Sequence, residues 1–231
     1  MNDSSQPFLA PALHIDSSHP AVRAFAVEIV GDDRDARSKA VKLYYAVRDR
    51  FRYDPYAIDL STEGLKASTV LANGHGWCVT KAALLAAACR AAGVPARVGF
   101  ADVRNHLSTE RLRRMMQTDT FYWHGYTSIE LDGQWLKATP AFNIELCRKF
   151  ALQPLEFDGR ADSIYHPFDL NGNRHMEYLQ LRGEFADVPA DEINAAMREH
   201  YPLLAGQAAS VDASADFSAD VEREIAARPG G

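Results

Sequence analysis

Cys78 is the residue whose surroundings most strongly suggest chemistry. It follows the run Asn73-Gly74-His75-Gly76-Trp77 and begins CVTKAALLAAACRAA, which has the highest helix propensity in the chain. A thiol attacks a carbonyl as its thiolate, and the free N–H groups at a helix N-terminus favour that anion and lower the thiol pKa. The same groups can hold the oxyanion formed by the attack, so Trp77 and Gly76 are candidate oxyanion or pocket residues. The alternative is that Cys78 is a small buried hydrophobic residue.

The other two cysteines lack such a setting. Cys89 lies three turns further along the same helical stripe, and Cys147 follows no helix-start signal. Both are predicted to be structural. An odd number of cysteines argues against a disulfide framework and fits a reducing cytoplasm.

His124 is the candidate general acid and base, and it lies in the strand-like run Phe121–Tyr126. If Asp132-Gly133 is a two-residue hairpin turn, Thr139 becomes the diagonal neighbour of His124 on the facing strand. Asn143 has the matching parity on the other diagonal. Thr139 is therefore the candidate third catalytic residue, with Asn143 as its competitor.

The elements that would position these residues can be predicted from hydrophobic spacing. The expected helices run from about Pro20 to Val30, Arg34 to Phe51, Cys78 to Ala92 and Ala190 to His200, and the expected strands from Ala96 to Val103, Thr120 to Leu131 and Gln134 to Thr139. Residues 56–77 are predicted to be a loop with short turns, and 150–188 loops and short strands. Residues 1–204 are interpreted as a single domain and 205–231 as a peripheral C-terminal tail.

The order of these motifs resembles the transglutaminase-like core, which occurs in transglutaminases, peptide N-glycanases and many bacterial proteins. The matching pieces are Phe51-Arg52-Tyr53-Asp54 at a helix end, Gly76-Trp77-Cys78, the stretch from Cys89 to Val98, His124, and Asp132-Gly133-Gln134-Trp135. The recognisable core spans about residues 36–140, and 141–204 would be a family-specific extension. The resemblance implies an α+β, papain-like fold, with helices packed on an antiparallel β-sheet and the nucleophile at a helix N-terminus.

One position departs from the family pattern. The family usually has an aspartate before the proline of this strand, whereas this chain has Thr139 before Pro140. Threonine can accept a hydrogen bond from the imidazole but brings no charge to stabilise an imidazolium. Asn143 could instead be the neutral orienting group, as in papain-like Cys-His-Asn sites.

The predicted function is a thiol-dependent amide or ester hydrolase or acyl transferase that acts through a Cys78 acyl-enzyme, with His124 as general acid and base. The substrate would be a peptide, a protein or a small amide, and the resemblance implies no cofactor or metal. Two alternatives remain: a binding module that kept the fold but lost efficient catalysis, suggested by Thr139, and a metal-dependent hydrolase that uses the histidines.

Net charge and hydropathy indicate which kinds of partner the chain does not bind. The net charge of −6 and the lack of a Lys/Arg cluster argue against nucleic-acid binding. No run approaches the about 18 consecutive apolar residues of a membrane helix. The N-terminal sequence also lacks the positive charge and apolar core of a secretory signal. The sequence therefore predicts a cytoplasmic protein that binds no membrane, and it leaves the oligomeric state undetermined.

Overall fold

The fold combines α-helices and β-strands in the part of the chain that the structure describes. That structure is a computed structural model, which describes residues 6–105, 108–164, 170, 172, 176–203 and 216–227. The helices are α1 (Pro20–Val30), α2 (Ala36–Arg50), α3 (Ala67–Asn73), α4 (Cys78–Ala91), α5 (Glu110–Met116), α6 (Ile144–Lys149), α7 (Ala190–His200) and α8 (Phe217–Ala226). The strands are β1 (Arg52–Tyr53), β2 (His75–Gly76), β3 (Ala96–Asn105), β4 (Thr120–Leu131), β5 (Gln134–Ala138) and β6 (Met176–Phe185).

The main sheet is antiparallel throughout, with strand order β5-β4-β3-β6. The β4–β5 hairpin has the predicted register, in which Leu131 faces Gln134. Its turn consists of Asp132 and Gly133, both with positive φ, as a two-residue hairpin turn with matching twist requires. The ladder ends at the pair Thr127–Ala138, so Thr139 lies one residue beyond it.

Helix α4 lies at the centre of the molecule. It contacts β4 on one side and α1, α2 and α3 on the others, and its residues from Cys78 to Arg90 are all buried. The small alanine side chains allow neighbours to approach on every side, as the Ala-rich sequence predicts. Helices packed on an antiparallel sheet, with Cys78 at a helix start, confirm the predicted α+β, papain-like class. No helix within the described ranges is long and apolar enough to cross a membrane.

Three segments differ from the sequence prediction. Residues 67–73, expected in a loop, form α3, which buries Ala67 and Val70. Within 150–188, the expected short strands include the ten-residue β6, which pairs along β3. The segment expected as a peripheral tail contains α8, whose Phe217 and Val221 are buried. In each case the ordering comes from contacts with distant parts of the chain.

Candidate active site

The turn that precedes Cys78 is held by a two-strand parallel pairing. β2 pairs with β1, and the Asp54 N–H donates to the Gly76 carbonyl at 3.0 Å. Thr80 Oγ1 accepts a hydrogen bond from the Trp77 N–H at 3.1 Å. A Cβ at Gly76 would lie 2.8 Å from Thr80 Oγ1, so this close path requires glycine. The start of α4 is therefore fixed by its own first turn and by β1, the strand that follows α2.

Lys81 joins the first turn of α4 to neighbouring segments of the chain. Its side chain is fully buried, and Nζ donates to the carbonyls of Arg48 at 2.9 Å, Phe51 at 2.7 Å and Ala141 at 2.8 Å. Burial lowers the pKa of Lys81 to about 7. In its protonated form Nζ has three donors for these three backbone acceptors, and the bonds join α4, the end of α2 and the segment that follows β5.

Gly125 brings β4 against the start of α4. A Cβ at this position would lie 2.9 Å from Val79 Cα and 3.0 Å from the Cys78 carbonyl oxygen. Glycine within a strand marks such a close approach of backbone to backbone. Two residues on, Thr127 Oγ1 donates to the Ala82 carbonyl at 2.8 Å, so these alternate residues of β4 face α4. The strand that carries His124 therefore passes in contact with the Cys78 turn.

The Cys78 thiol is buried and surrounded by backbone donors. Burial raises its pKa to about 11, against hydrogen bonds from the backbone N–H groups of Gly125, Val79 and Cys78 itself, which lower it. Burial also raises the pKa of Cys89 to about 12 and that of Cys147 to about 11. The N–H groups act in the direction predicted for a helix start, but burial outweighs them, and Cys78 is a neutral thiol at pH 7.

His124 is 2% exposed and pairs with Ala101 of β3. The ladder shifts register between Ala101 and Val103, which is a β-bulge, and Trp123 has a φ of 56° there. Asp102 Oδ1 accepts a hydrogen bond from the Trp123 N–H at 3.2 Å. Bulges near active sites commonly re-aim a side chain. The backbone that leads into His124 is thus set by a buried carboxylate on the neighbouring strand.

That carboxylate is itself held by a cation. Arg182 on β6 binds Asp102 with both Nε and Nη2, the shorter contact being 2.6 Å. The Arg182 guanidinium lies over the Trp123 ring, 5.7 Å from its centroid. The bulge is therefore supported by three strands together.

Thr139 and Asn143 occupy different settings. Thr139 is 1% exposed, its N–H donates to the Ser163 carbonyl at 3.0 Å, and its hydroxyl has no hydrogen-bond partner among the described residues. Asn143 precedes α6, and its Oδ1 accepts from the Tyr53 N–H at 3.2 Å. The side-chain carbonyl of Asn143 is thus occupied by a hydrogen bond from β1, whereas the Thr139 hydroxyl makes no hydrogen bond within the described part of the chain. Which of them orients His124 stays a prediction.

An apolar pocket opens beside the thiol. Cys78 and Trp77 lie in its wall, together with Tyr53, Pro55, Ile58, Leu112, Met116, Phe121, Tyr122, Met197 and Tyr201. Trp77 therefore lies in the wall of this pocket, and its role as an oxyanion or pocket residue stays a prediction. Its indole N–H is buried and has no hydrogen-bond partner in the described part of the chain. Gly76 does not line the pocket, and its close backbone path shapes the turn that precedes Cys78.

Sequence reasoning missed several of these residues. Gly125 carries a visible signal, a glycine within a strand beside the candidate histidine. The pocket residues of α5 and α7 carry none, because their positions depend on how distant helices fold back over the Cys78 turn. No group of three His, Cys, Asp or Glu side chains in the described ranges is arranged to hold a metal ion.

The chain is similar to a known protein family and to solved structures. The sequence matches the Transglutaminase-like superfamily over residues 23–140, slightly more than half of the chain. A solved structure described as a "putative cysteine protease" from Cytophaga hutchinsonii superposes with a TM-score of 0.50 at 18% identity, covering 82% of this chain and 50% of that one. A structure described as a "putative protease" from Parabacteroides distasonis gives a TM-score of 0.37 at 16% identity, covering 55% of this chain and 26% of that one. This chain thus spans half or less of either structure. A search of curated proteins found no match.

Proposed function

Because the chain belongs to the transglutaminase-like superfamily, we propose that it is a thiol-dependent acyl-transfer enzyme that cleaves an amide or ester through a Cys78 acyl-enzyme. His124 is the general acid and base in this proposal. The released acyl group passes to water or to an amine. The substrate is a peptide, a protein or a small amide.

The observation that carries the proposal is the approach of β4 to the start of α4 at Gly125. This contact places the residue after His124 against the Cys78 backbone, with the Gly125 N–H near the sulfur. Backbone N–H groups of the Cys78 turn and of β4 surround one point, where they can stabilise negative charge on sulfur or on an oxyanion. A buried thiol that accepts hydrogen bonds from fixed backbone donors is suited to acyl transfer. Cys89, in the same helix, is the contrasting case of a buried thiol with a structural role.

The proposed reaction follows from the protonation states. Cys78 is neutral at pH 7, so His124 takes the thiol proton as sulfur attacks the carbonyl carbon. The carbonyl electron pair moves to oxygen, where the backbone N–H groups hold the charge. The oxyanion then collapses, the C–N or C–O bond breaks, and His124 returns the proton to the leaving group. Water or an amine then attacks the thioester and gives a proton to His124. The C–S bond breaks, the acyl product leaves, and His124 passes the proton to sulfur to restore the Cys78 thiol.

A non-catalytic binding module is the second candidate. It is favoured by Thr139 in place of the family aspartate and by the raised pKa of Cys78, since both disfavour a thiolate–imidazolium pair. In that case the pocket would bind a ligand and Cys78 would form no acyl-enzyme.

Trapping the acyl-enzyme distinguishes the two. The protein is incubated with a panel of p-nitrophenyl esters and peptide amides, and intact-mass analysis with peptide mapping locates any added acyl group. We expect the addition at Cys78, its loss in Cys78→Ala, and its retention in Cys89→Ala, the matched control in the same helix. His124→Asn should slow both formation and breakdown of the adduct. A chain that gains no acyl group from any member of the panel would support the binding module.

A further inference from the structure

The wall of the pocket beside Cys78 contains no charged side chain among its described residues. It is formed by aromatic, aliphatic and methionine side chains, and the surface that it exposes to the pocket is almost entirely apolar. A charged group enclosed there would lose its hydration without gaining a partner, which costs several kcal/mol. The pocket therefore selects against ions.

Two polar groups beside this space are already occupied by hydrogen bonds within the protein. The Tyr201 hydroxyl donates to the Thr120 carbonyl at 2.8 Å and accepts from the Tyr122 N–H at 2.7 Å. A phenol has one donor, so Tyr201 cannot donate to a substrate. On the opposite side, the Tyr53 N–H is bound to Asn143 Oδ1. The wall thus offers mainly apolar surface, with the indole N–H of Trp77 as a donor that has no partner in the described part of the chain.

The wall is also held in place before any ligand binds. The Tyr122 ring stacks on His200 of α7, with centroids 3.7 Å apart and planes at 14°. The Tyr53 ring packs edge-on against Phe142 and Phe217, with centroids 4.8 Å and 5.8 Å away. Fixed apolar walls give selectivity at a low entropic cost.

We propose that this pocket binds the acyl side of the substrate and selects an uncharged apolar acyl group, aromatic or branched aliphatic, for transfer to Cys78. This inference rests on the proposed function and adds the substrate class to it. The acyl carbon meets the sulfur at the Cys78 end of the pocket, and the apolar group fills the space between α5, β4 and α7. Acyl groups that carry a carboxylate or an ammonium are rejected.

The test keeps the leaving group constant and varies only the acyl group. p-Nitrophenyl esters of phenylacetic acid, 3-methylbutanoic acid, succinic acid and glycine are compared by their acylation rates at Cys78, each divided by its rate with glutathione. We expect the two apolar esters to react faster than the two charged esters by about tenfold or more. Equal normalised rates, or faster reaction of a charged ester, would overturn the proposal.

A charge placed in the wall should reverse the selection. Ile58 is only partly buried, so Ile58→Lys can keep its ammonium in water and the chain should fold. This variant should accept the succinyl ester at least as well as the phenylacetyl ester. Leu60→Lys is the matched control, because Leu60 is also partly buried but does not line the pocket, and it should keep the wild-type order. The same change of order in both variants would contradict the assignment.

A second series separates this proposal from the proposed function. N-benzyl-iodoacetamide, iodoacetamide and iodoacetate alkylate Cys78 without any acyl transfer, and their rates are again normalised to glutathione. If no ester acylates Cys78 but the benzyl reagent is preferred, the pocket selects as proposed and the enzymatic function fails. If the esters acylate Cys78 without an apolar preference, the function stands and the pocket proposal is wrong.

Discussion

Replacing Gly125 by alanine is the sharpest test of the site geometry. The added Cβ would lie 2.9 Å from Val79 Cα and 3.0 Å from the Cys78 carbonyl oxygen, whereas ordinary contacts begin at 3.4 Å. Both neighbours are backbone atoms, so no side-chain rotation can relieve the contact. β4 and the start of α4 must therefore separate by about 0.5–1 Å.

The consequences follow from that displacement. Overpacking of this kind lowers the free energy of unfolding by about 1–3 kcal/mol. The separation also weakens the Gly125 N–H contact that opposes the raised pKa of the Cys78 thiol, so this pKa should rise above about 11. Each further pKa unit reduces the thiolate fraction at neutral pH about tenfold. A displacement on the order of 1 Å between reacting groups can cost about 10²-fold in rate.

The assay compares three chains at several pH values. The measured quantities are the rate of iodoacetamide alkylation at Cys78, the acylation rate with an apolar p-nitrophenyl ester, and the thermal unfolding midpoint. Gly99→Ala is the matched control for overpacking in the sheet, because its Cβ would contact the Tyr126 side chain at 2.2 Å rather than the backbone of the Cys78 turn. We expect both variants to lose stability but only Gly125→Ala to lose Cys78 reactivity. Wild-type kinetics in Gly125→Ala, or an equal loss in Gly99→Ala, would refute the reasoning.

Three further predictions concern the groups around this contact. Lys81→Met leaves three buried carbonyls without their donor and should lower the free energy of unfolding in urea by about 2–5 kcal/mol; an unchanged urea midpoint would contradict that anchoring role. Because burial raises the Cys78 pKa to about 11, its alkylation rate should rise about tenfold per unit between pH 8 and pH 10, and a plateau below pH 8 would reveal a thiolate–imidazolium pair instead. Thr139→Val should slow acylation and shift its pH profile, whereas Asn143→Ala should mainly reduce stability through the Tyr53 N–H; a shifted profile in Asn143→Ala alone would make asparagine the third member.

The sequence by itself determined the local parts of the site. The start of α4 at Cys78 follows from a glycine-rich turn before a strong helix-forming run, both of which act within a few residues. The register of the β4–β5 hairpin follows from Asp132-Gly133, because a two-residue turn fixes which residues face each other. The departure at Thr139 is likewise visible in the sequence alone.

Only the tertiary structure decided the chemistry of the thiol and the shape of its pocket. The burial that raises the Cys78 pKa comes from residues in many parts of the chain. No local sequence pattern indicates how many of them will surround the thiol. The pocket wall combines Tyr53, Met116 and Met197, which lie on either side of β4 in sequence and meet only when α5 and α7 pack over the Cys78 turn. Helix and turn signals act over neighbouring residues, whereas desolvation and shape depend on which distant surfaces come together.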